Sequence, residues 1–458
     1  WDARWPAMAP DGTVVFTLGG DLQLCDAATG AVTRVEVDLP SDRILTRTRY
    51  QAAGRNLQGF DLAPDGERLL VEVRGELFSV PVKDGLTLPV TRGTGARERG
   101  AHFSHDGKHV LYWSDESGED ALARKDAWGR GEAATVRGAQ PGPWSFDVWP
   151  SPDGKWLAWA DSDFRLMVMP TDGGDPREAD RGARGNIRGL AWSPDGSWLA
   201  YFKGLENDFD SVFIYDTKEQ EVHAATGRWT EDHSPTWDPE GRYLWFVSSR
   251  ATNPVLGNTD MQNVEVKNER IYALLLRPDV PSPLAEDAGM PPVADAEDKK
   301  KDDGDKKEKK EKDKDGDEDE APAPVEIDFA GLTERVVELP LDRGNYAGLA
   351  ATKSHVFFVS LPLQAMAEGP DFFDEAPPRA VLMTWNLEDK EAATFVAGIS
   401  GYDLEAKAGK IAIMTQPGQI AVVDAAAPPG EAMAKGKVKL DDAVVELEPR
   451  AEWAQICL

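Results

Sequence analysis

Two cysteines in 458 residues, Cys25 and Cys457, lie near opposite ends of the chain, so neither a disulfide framework nor a cysteine-based zinc site is supported. No apolar run approaches the roughly 18 residues that a membrane helix needs, and stretches such as His355 to Leu363 are of strand length, so no membrane insertion is expected. Basic charge is scarce as well: 51 Lys and Arg stand against 81 Asp and Glu, a net charge of −30. That balance argues against a protein that tracks phosphates with a basic stripe, and no nucleic-acid partner is expected, although it leaves room for a local basic pocket. Chemical motifs are missing too. There is no G-x-S-x-G elbow, the nearest miss being GISGY at Gly398 to Tyr402, and no H-E-x-x-H, phosphate-binding loop or dinucleotide fingerprint. Of six histidines, His102, His105 and His109 cluster in sequence. They fall on a strand, a turn and the next strand, so no metal site and no cofactor is expected.

What the chain has in abundance is one hairpin. LAWSPDGSWLAYF, from Leu190 to Phe202, reads as strand, Ser-Pro-Asp-Gly turn and strand. Proline presets φ, Asp bonds nearby backbone, and Gly takes a positive φ. Related turns occur around Asp11, Asp65, Asp106, Asp153, Asp195 and Glu240, about every 45 residues, and each is followed by two further short strands. Four antiparallel strands at that period are a β-propeller blade. The expected fold is therefore all-β: a seven-bladed propeller of four-stranded blades. Its units begin near Gly59, Gly100, Ser145, Arg188 and Ser234, with degenerate ones from Tyr346 and Tyr402. Tryptophans at matching strand positions, among them Trp113, Trp149, Trp156, Trp159, Trp192, Trp198, Trp237 and Trp245, are expected to pack between blades.

Residues 1–38 form one unit too many and are expected to be the last blade of a preceding propeller. Leu39 to Asn56 lacks strand logic and reads as a linker, so the main domain is expected over 39–446. Within it, 278–324 is an insertion whose core, Glu297 to Glu320, is charged at every position except two glycines. Such composition cannot bury enough apolar surface to fold, and VEIDFAGLTERVVELPL from Val325 is expected to resume the interrupted blade as strand. At the channel entrance the innermost strands carry Arg97, Arg99, Trp144, Arg188, His233, Tyr346 and Tyr402. This basic and aromatic set suits extended peptide. The competing expectation is that these groups bond blade backbone and acidic neighbours such as Glu98 and Asp232.

LPSDRILTRTRY, FDLAPDGERLLVEVRGELFSVPV, TRGTGARERGAHFSHDGKHVLYWSDESGE, ERIYALLLRPDVPSPLAE before a charged insertion, and VVELEPRAEWAQI together resemble the Tricorn protease family and its bacterial homologues. The resemblance implies a six-bladed propeller ending at residue 38, a seven-bladed one after it, and a helical and catalytic region beginning at 447–458. It also implies that the Ser, His and Glu catalytic residues of the family lie beyond Leu458, so no catalytic residue is assigned and this chain alone is expected to be inactive. The implied role is a filter and channel for unfolded or extended oligopeptides, with the catalytic half and a homo-hexamer of the full-length protein as partners. The location implied is cytoplasmic, with an exported alternative because the sequence opens at Trp1. Two other readings stay open: a TolB-like binding propeller that scaffolds protein partners, and the propeller of a prolyl-oligopeptidase-like enzyme.

Overall fold

The computed structural model describes residues 2–38, 40, 42–93, 95–252, 254–256, 263–285, 322–363 and 379–456. It divides into two compact units, one of residues 1–48 with 448–450, the other of 49–447 with 451–458. The first unit is a four-stranded antiparallel sheet of Ala3–Met8, Thr13–Leu18, Asp21–Asp26 and Val32–Arg34. Its turns are held by carboxylates, Asp11 accepting the Thr13 N–H and Asp26 those of Ala28 and Thr29. Trp5 and Met8 stand on its surface, 78% and 69% exposed.

In the second unit the same meander recurs. The first sheet holds Leu57–Leu62, Arg68–Val73, Glu76–Pro81 and Leu88–Pro89; the second holds Glu98–Phe103, His109–Ser114, Ala121–Asp126 and Ala134–Arg137. The third runs from Trp149–Pro150 to Arg177–Arg181, the fourth from Arg188–Trp192 to Val222–Ala224, and the sixth from Tyr346–Ala351 to Ala392–Ile399. The fifth joins Asp232–Trp237, Tyr243–Ser248 and Arg270–Leu275 to Val336–Glu338. The last has three strands, Gly401–Glu405, Lys410–Gln416 and Gln419–Asp424, and Lys437 bridges to Ala421 along its outer edge. Middle strands are apolar on both faces because both faces are covered: all six residues of Tyr243–Ser248 are buried.

Each apolar cluster lies between consecutive sheets, and one joins the two ends of the series. Leu70, Leu77, Phe103 and Tyr112 fill the first joint, Trp113 and Trp159 the second, Leu166 and Tyr201 the third. Leu69, Val71 and Val80 of the first sheet pack with Ile420 and Val422 of the last. The stretch expected to be a linker contains the strand Arg49–Ala52, which pairs antiparallel with Val444–Leu447. The two ends of the second unit are thus tied by backbone as well as by packing.

Turn geometry links neighbours at one rim. Ser151 Oγ bonds Asp153 at 2.6 Å and accepts the Trp156 N–H at 2.9 Å, an arrangement repeated by Ser104 with Asp106 and by Ser193 with Asp195. The turn glycine keeps a positive φ and sits against the preceding turn, as Gly154 does against the His105 ring and Gly107 against Pro64.

The insertion departs after Arg270–Leu275 and returns to Val336–Glu338, between the third and fourth strands of one sheet; its residues 286–321 lie outside the described residues. Strand does not resume at Val325, as expected, but at Val336. The alternation of Val325, Ile327 and Phe329 reflects side chains packed on the fourth and fifth sheets, not pairing in a ladder. The chain turns at Leu332–Glu334, and the Arg335 guanidinium takes up the carbonyls of Leu275, Leu276, Asp328 and Ala330. A hairpin of Pro254–Leu256 with Asn263–Glu265, unforeseen in the sequence, adds to the loop before Arg270–Leu275.

Candidate functional site, the central passage

The first strand of each sheet lines a passage, and a bulge in most of these strands sets what faces it. Register slips between Arg99 and His102, Arg188 and Ala191, His233 and Thr236, and Ala347 and Ala350. Each slip holds a residue at positive φ: Gly100, Gly189, Ser234 and Gly348. Glycine suits this place because neighbours crowd it; a Cβ on Gly100 would stand 2.9 Å from the Asp147 backbone.

At the position of His102, which follows the bulge of the second sheet, the first and last sheets present Asp61 and Asp403. The third presents Trp149, and the fourth to sixth only Ala191, Thr236 and Ala350. Asp147 and Glu72 add carboxylates on the first side. At this register level carboxylates therefore gather on one side of the passage and small, uncharged side chains on the other.

The carboxylates also join sheets. Asp403 Oδ2 accepts the Leu62 N–H of the first sheet at 2.6 Å, and Asp61 Oδ2 accepts the Phe103 N–H of the second at 2.8 Å, Leu62 and Phe103 being register equivalents. Asp61 Oδ1 meets His102 Nδ1 at 2.8 Å, and the His102 ring rests 4.2 Å from that of Trp149. Glu72 Oε2 accepts the Gly100 N–H at 3.1 Å. Burial pushes Asp403 up to about 7, assisted by the charge of Asp61, and burial does the same to Glu72 and Glu405. Burial works against protonation of His102, but the carboxylate of Asp61 outweighs it and raises its pKa.

Two cavities occupy the passage. The larger, about 1790 Å³, opens at the rim of turns, where Pro64, Pro152, Pro194 and Pro239 stand; the smaller, about 470 Å³, holds Glu72, Arg97, Arg99, Trp144 and Tyr402. Asp61, His102, Phe146, Asp147 and Trp149 line both, so the two adjoin along these residues. Trp149, expected as inter-blade packing, is instead 37% exposed to this space.

The seven residues expected at one entrance divide. Arg97, Arg99, Trp144 and Tyr402 share the smaller cavity. Arg99 is buried, chelated by both oxygens of Asp120 at 2.6 Å and bonded to the Ser145 carbonyl, with its guanidinium 3.4 Å from the Trp144 ring centroid. Arg97 lies 5.4 Å from the same ring, and Trp144 is 43% exposed. The Tyr402 hydroxyl donates to the Gly348 carbonyl, and burial pushes its pKa well up. Arg188 lines the larger cavity, pairs with Asp210 at 2.7 Å and rests on the Phe202 ring. His233 and Tyr346 line neither: His233 meets Glu269 at 3.3 Å, and the Tyr346 hydroxyl donates to the Asp342 carbonyl. Sequence reasoning missed Asp61 and Asp403. Their signal is the near-identical GFDL at 59–62 and GYDL at 401–404, a carboxylate set in an otherwise apolar strand.

Among the described residues no three of His, Cys, Asp and Glu gather as a metal site, and no helix is long and apolar enough to cross a membrane.

A family described as the Tricorn protease second beta propeller domain matches residues 57–426. Tricorn protease homolog 1 of Streptomyces coelicolor is 27% identical over 98% of this chain and 41% of its own length. The Tricorn protease homolog of Saccharolobus solfataricus is 22% identical over 97% of this chain and 38% of its own. A crystal structure of the tricorn protease superposes with a TM-score of 0.74 at 18% identity, covering 97% of this chain and 40% of that one. The chain thus spans about two fifths of the length of these relatives. Repeated four-stranded sheets, a passage along their first strands and these matches lead to one conclusion: the chain belongs to the Tricorn protease family and contains its second β-propeller domain.

Proposed function

We propose that the sheets from Leu57 onward form a seven-bladed ring that filters and conducts unfolded or extended oligopeptides in a Tricorn-like serine protease, and that the chain itself supplies no catalytic residue. The observation that carries this reading is the pair of adjoining cavities along the first strands, which share Asp61, His102 and Trp149 as lining. A folded domain does not fit such a passage, whereas an extended chain does. Arg97 and Trp144 are its peptide-contacting pair: the half-exposed indole offers a stacking face, and the Arg97 guanidinium above it matches a carboxylate. Arg99, already held by Asp120, fixes the Trp144 ring. The rest of the protease and a hexamer of the full-length protein belong to the same reading.

The test is anisotropy of a labelled, unstructured peptide titrated with this chain. Saturable binding is expected, weakened about tenfold by Trp144→Ala, the loss of one ~1.4 kcal/mol contact. Absence of saturable binding, or equal binding by Trp144→Ala, contradicts it. Capture of one folded partner in its place would favour a scaffolding propeller.

A further inference from the structure

The joints between sheets repeat, so one serves as a control for another. In the fifth sheet Asp232 is wholly buried, pairs across the ladder with Ser248, and takes the Arg250 guanidinium on both oxygens at 3.1 Å. Arg250 Nε also donates to Ser248 Oγ at 2.9 Å. The adjoining fourth sheet contributes Ser211, and Thr226, whose hydroxyl accepts the Val212 N–H. A buried carboxylate is thus neutralised by a guanidinium.

At the joint of the first and second sheets the same register positions hold a different set. Glu98, paired with Ser114, replaces Asp232, and Glu116 stands where Arg250 would be. Thr91 replaces Thr226, its hydroxyl accepting the Leu77 N–H at 2.9 Å, and Glu76 replaces Ser211. Glu76 and Glu98 are only 4% and 7% exposed. The Thr91 hydroxyl donates to Glu76 Oε2 and the Ser114 hydroxyl to Glu98 Oε1, each at 3.3 Å, while Glu98 Oε2 is buried with no hydrogen-bond partner. Glu76 also accepts the Gly93 backbone N–H, while Arg92 and Lys125 act on it only through space. Two buried carboxylates with no cation in contact, one with an orphaned oxygen, are costly unless something positive joins them.

We propose that Glu76 and Glu98, with the Thr91 and Ser114 hydroxyls, form a cation site that takes a hard ion of the calcium class and braces the first two sheets. The donors are all oxygen, the set such ions choose. Only two carboxylates are present, so the Thr91 and Ser114 hydroxyls, each already beside one of them, supply the remaining protein oxygens. The site is independent of the peptide reading.

Thermal unfolding of the full chain, stripped with chelator and then titrated with CaCl2, tests it. Calcium is expected to raise Tm by about 3 °C near saturation, and Glu98→Gln to abolish the shift. Terbium emission sensitised by Tyr112, a buried ring close enough to feel the Glu98 charge, is expected to fall about tenfold in that variant. Because Glu98→Gln replaces a buried group, Ser114→Ala provides a second reading, with a calcium midpoint raised several-fold. Equal calcium shifts in wild type and both variants overturn the proposal by placing the ion on other acids of the chain. No calcium response in wild type overturns it, and Glu98→Gln more stable than wild type at pH 8 would then point to a proton shared by the two carboxyls.

Discussion

Gly154 has φ +72°, and a Cβ there would stand 2.3 Å from the His105 ring, whereas Gly409, in the turn of the last sheet at φ +63°, has open space around it. Both carry the left-handed backbone cost of about 1–2 kcal/mol on substitution by Ala, but only Gly154→Ala must also turn aside a neighbour, the exposed His105 ring, at a small further cost. Urea midpoints of the two variants are therefore expected to differ, with Gly154→Ala the lower; equal midpoints would deny that adjacent turns are packed against each other. The turns themselves were legible in the sequence because their chemistry is local: Ser, Asp and Gly within five residues satisfy one another. The passage residues were harder to read. Asp61 and Asp403 act on the backbone of the next sheet, hundreds of residues away in the case of Asp403 and Leu62, and nothing local marks that partnership. Arg99 looked available in sequence, and only its fold neighbour Asp120 shows that it is spent on structure.

The joint between the last and first sheets carries the closure of the unit. Apolar packing of Val71 with Ile420, the Lys410 ion pair with Glu67 at 3.0 Å, and Asp403 on the Leu62 N–H all cross it. Asp403→Ala leaves that N–H unpaired and is expected to destabilise by about 1–3 kcal/mol. Asp403→Asn keeps an acceptor but removes a charge that burial disfavours; it is expected to stabilise at pH 8 and to have little effect at pH 5.5, read as Tm at the two pH values. A variant equally affected at both would show that the carboxylate is not desolvated. Hairpin strands were legible from alternation and turn spacing. The first strand of the third sheet, reduced to Trp149–Pro150, was not, because Pro150 removes a backbone donor and pairing shrinks around it. Val325 to Phe329 misled in the opposite direction, with strand-like alternation imposed by packing alone.

Across the whole molecule the carboxylates of the passage make stability depend on pH in an unusual direction. Glu72, Asp403 and Glu405 are each raised to about 7, so the folded state holds protons that the unfolded state, with carboxyls near 4, releases. The stability they contribute is full below about pH 4 and lost as pH rises through 7; the raised pKa of His102 acts in the same sense. Tm is expected to climb as pH falls from 8 to 5.5, and a flat or opposite profile would contradict the burial of these groups. Blade period and family were readable from the sequence because repetition survives divergence. The asymmetry of the passage was not, since it arises only when strands from sheets at both ends of the unit stand side by side. The most direct test of the central claim is the length dependence of peptide cleavage by the chain joined to the protease region of its family. Trp144→Ala and Arg97→Ala are predicted to lower kcat/KM several-fold for long unfolded peptides and to leave short ones unchanged; equal effects on long and short peptides, or none on either, would contradict a conducting passage.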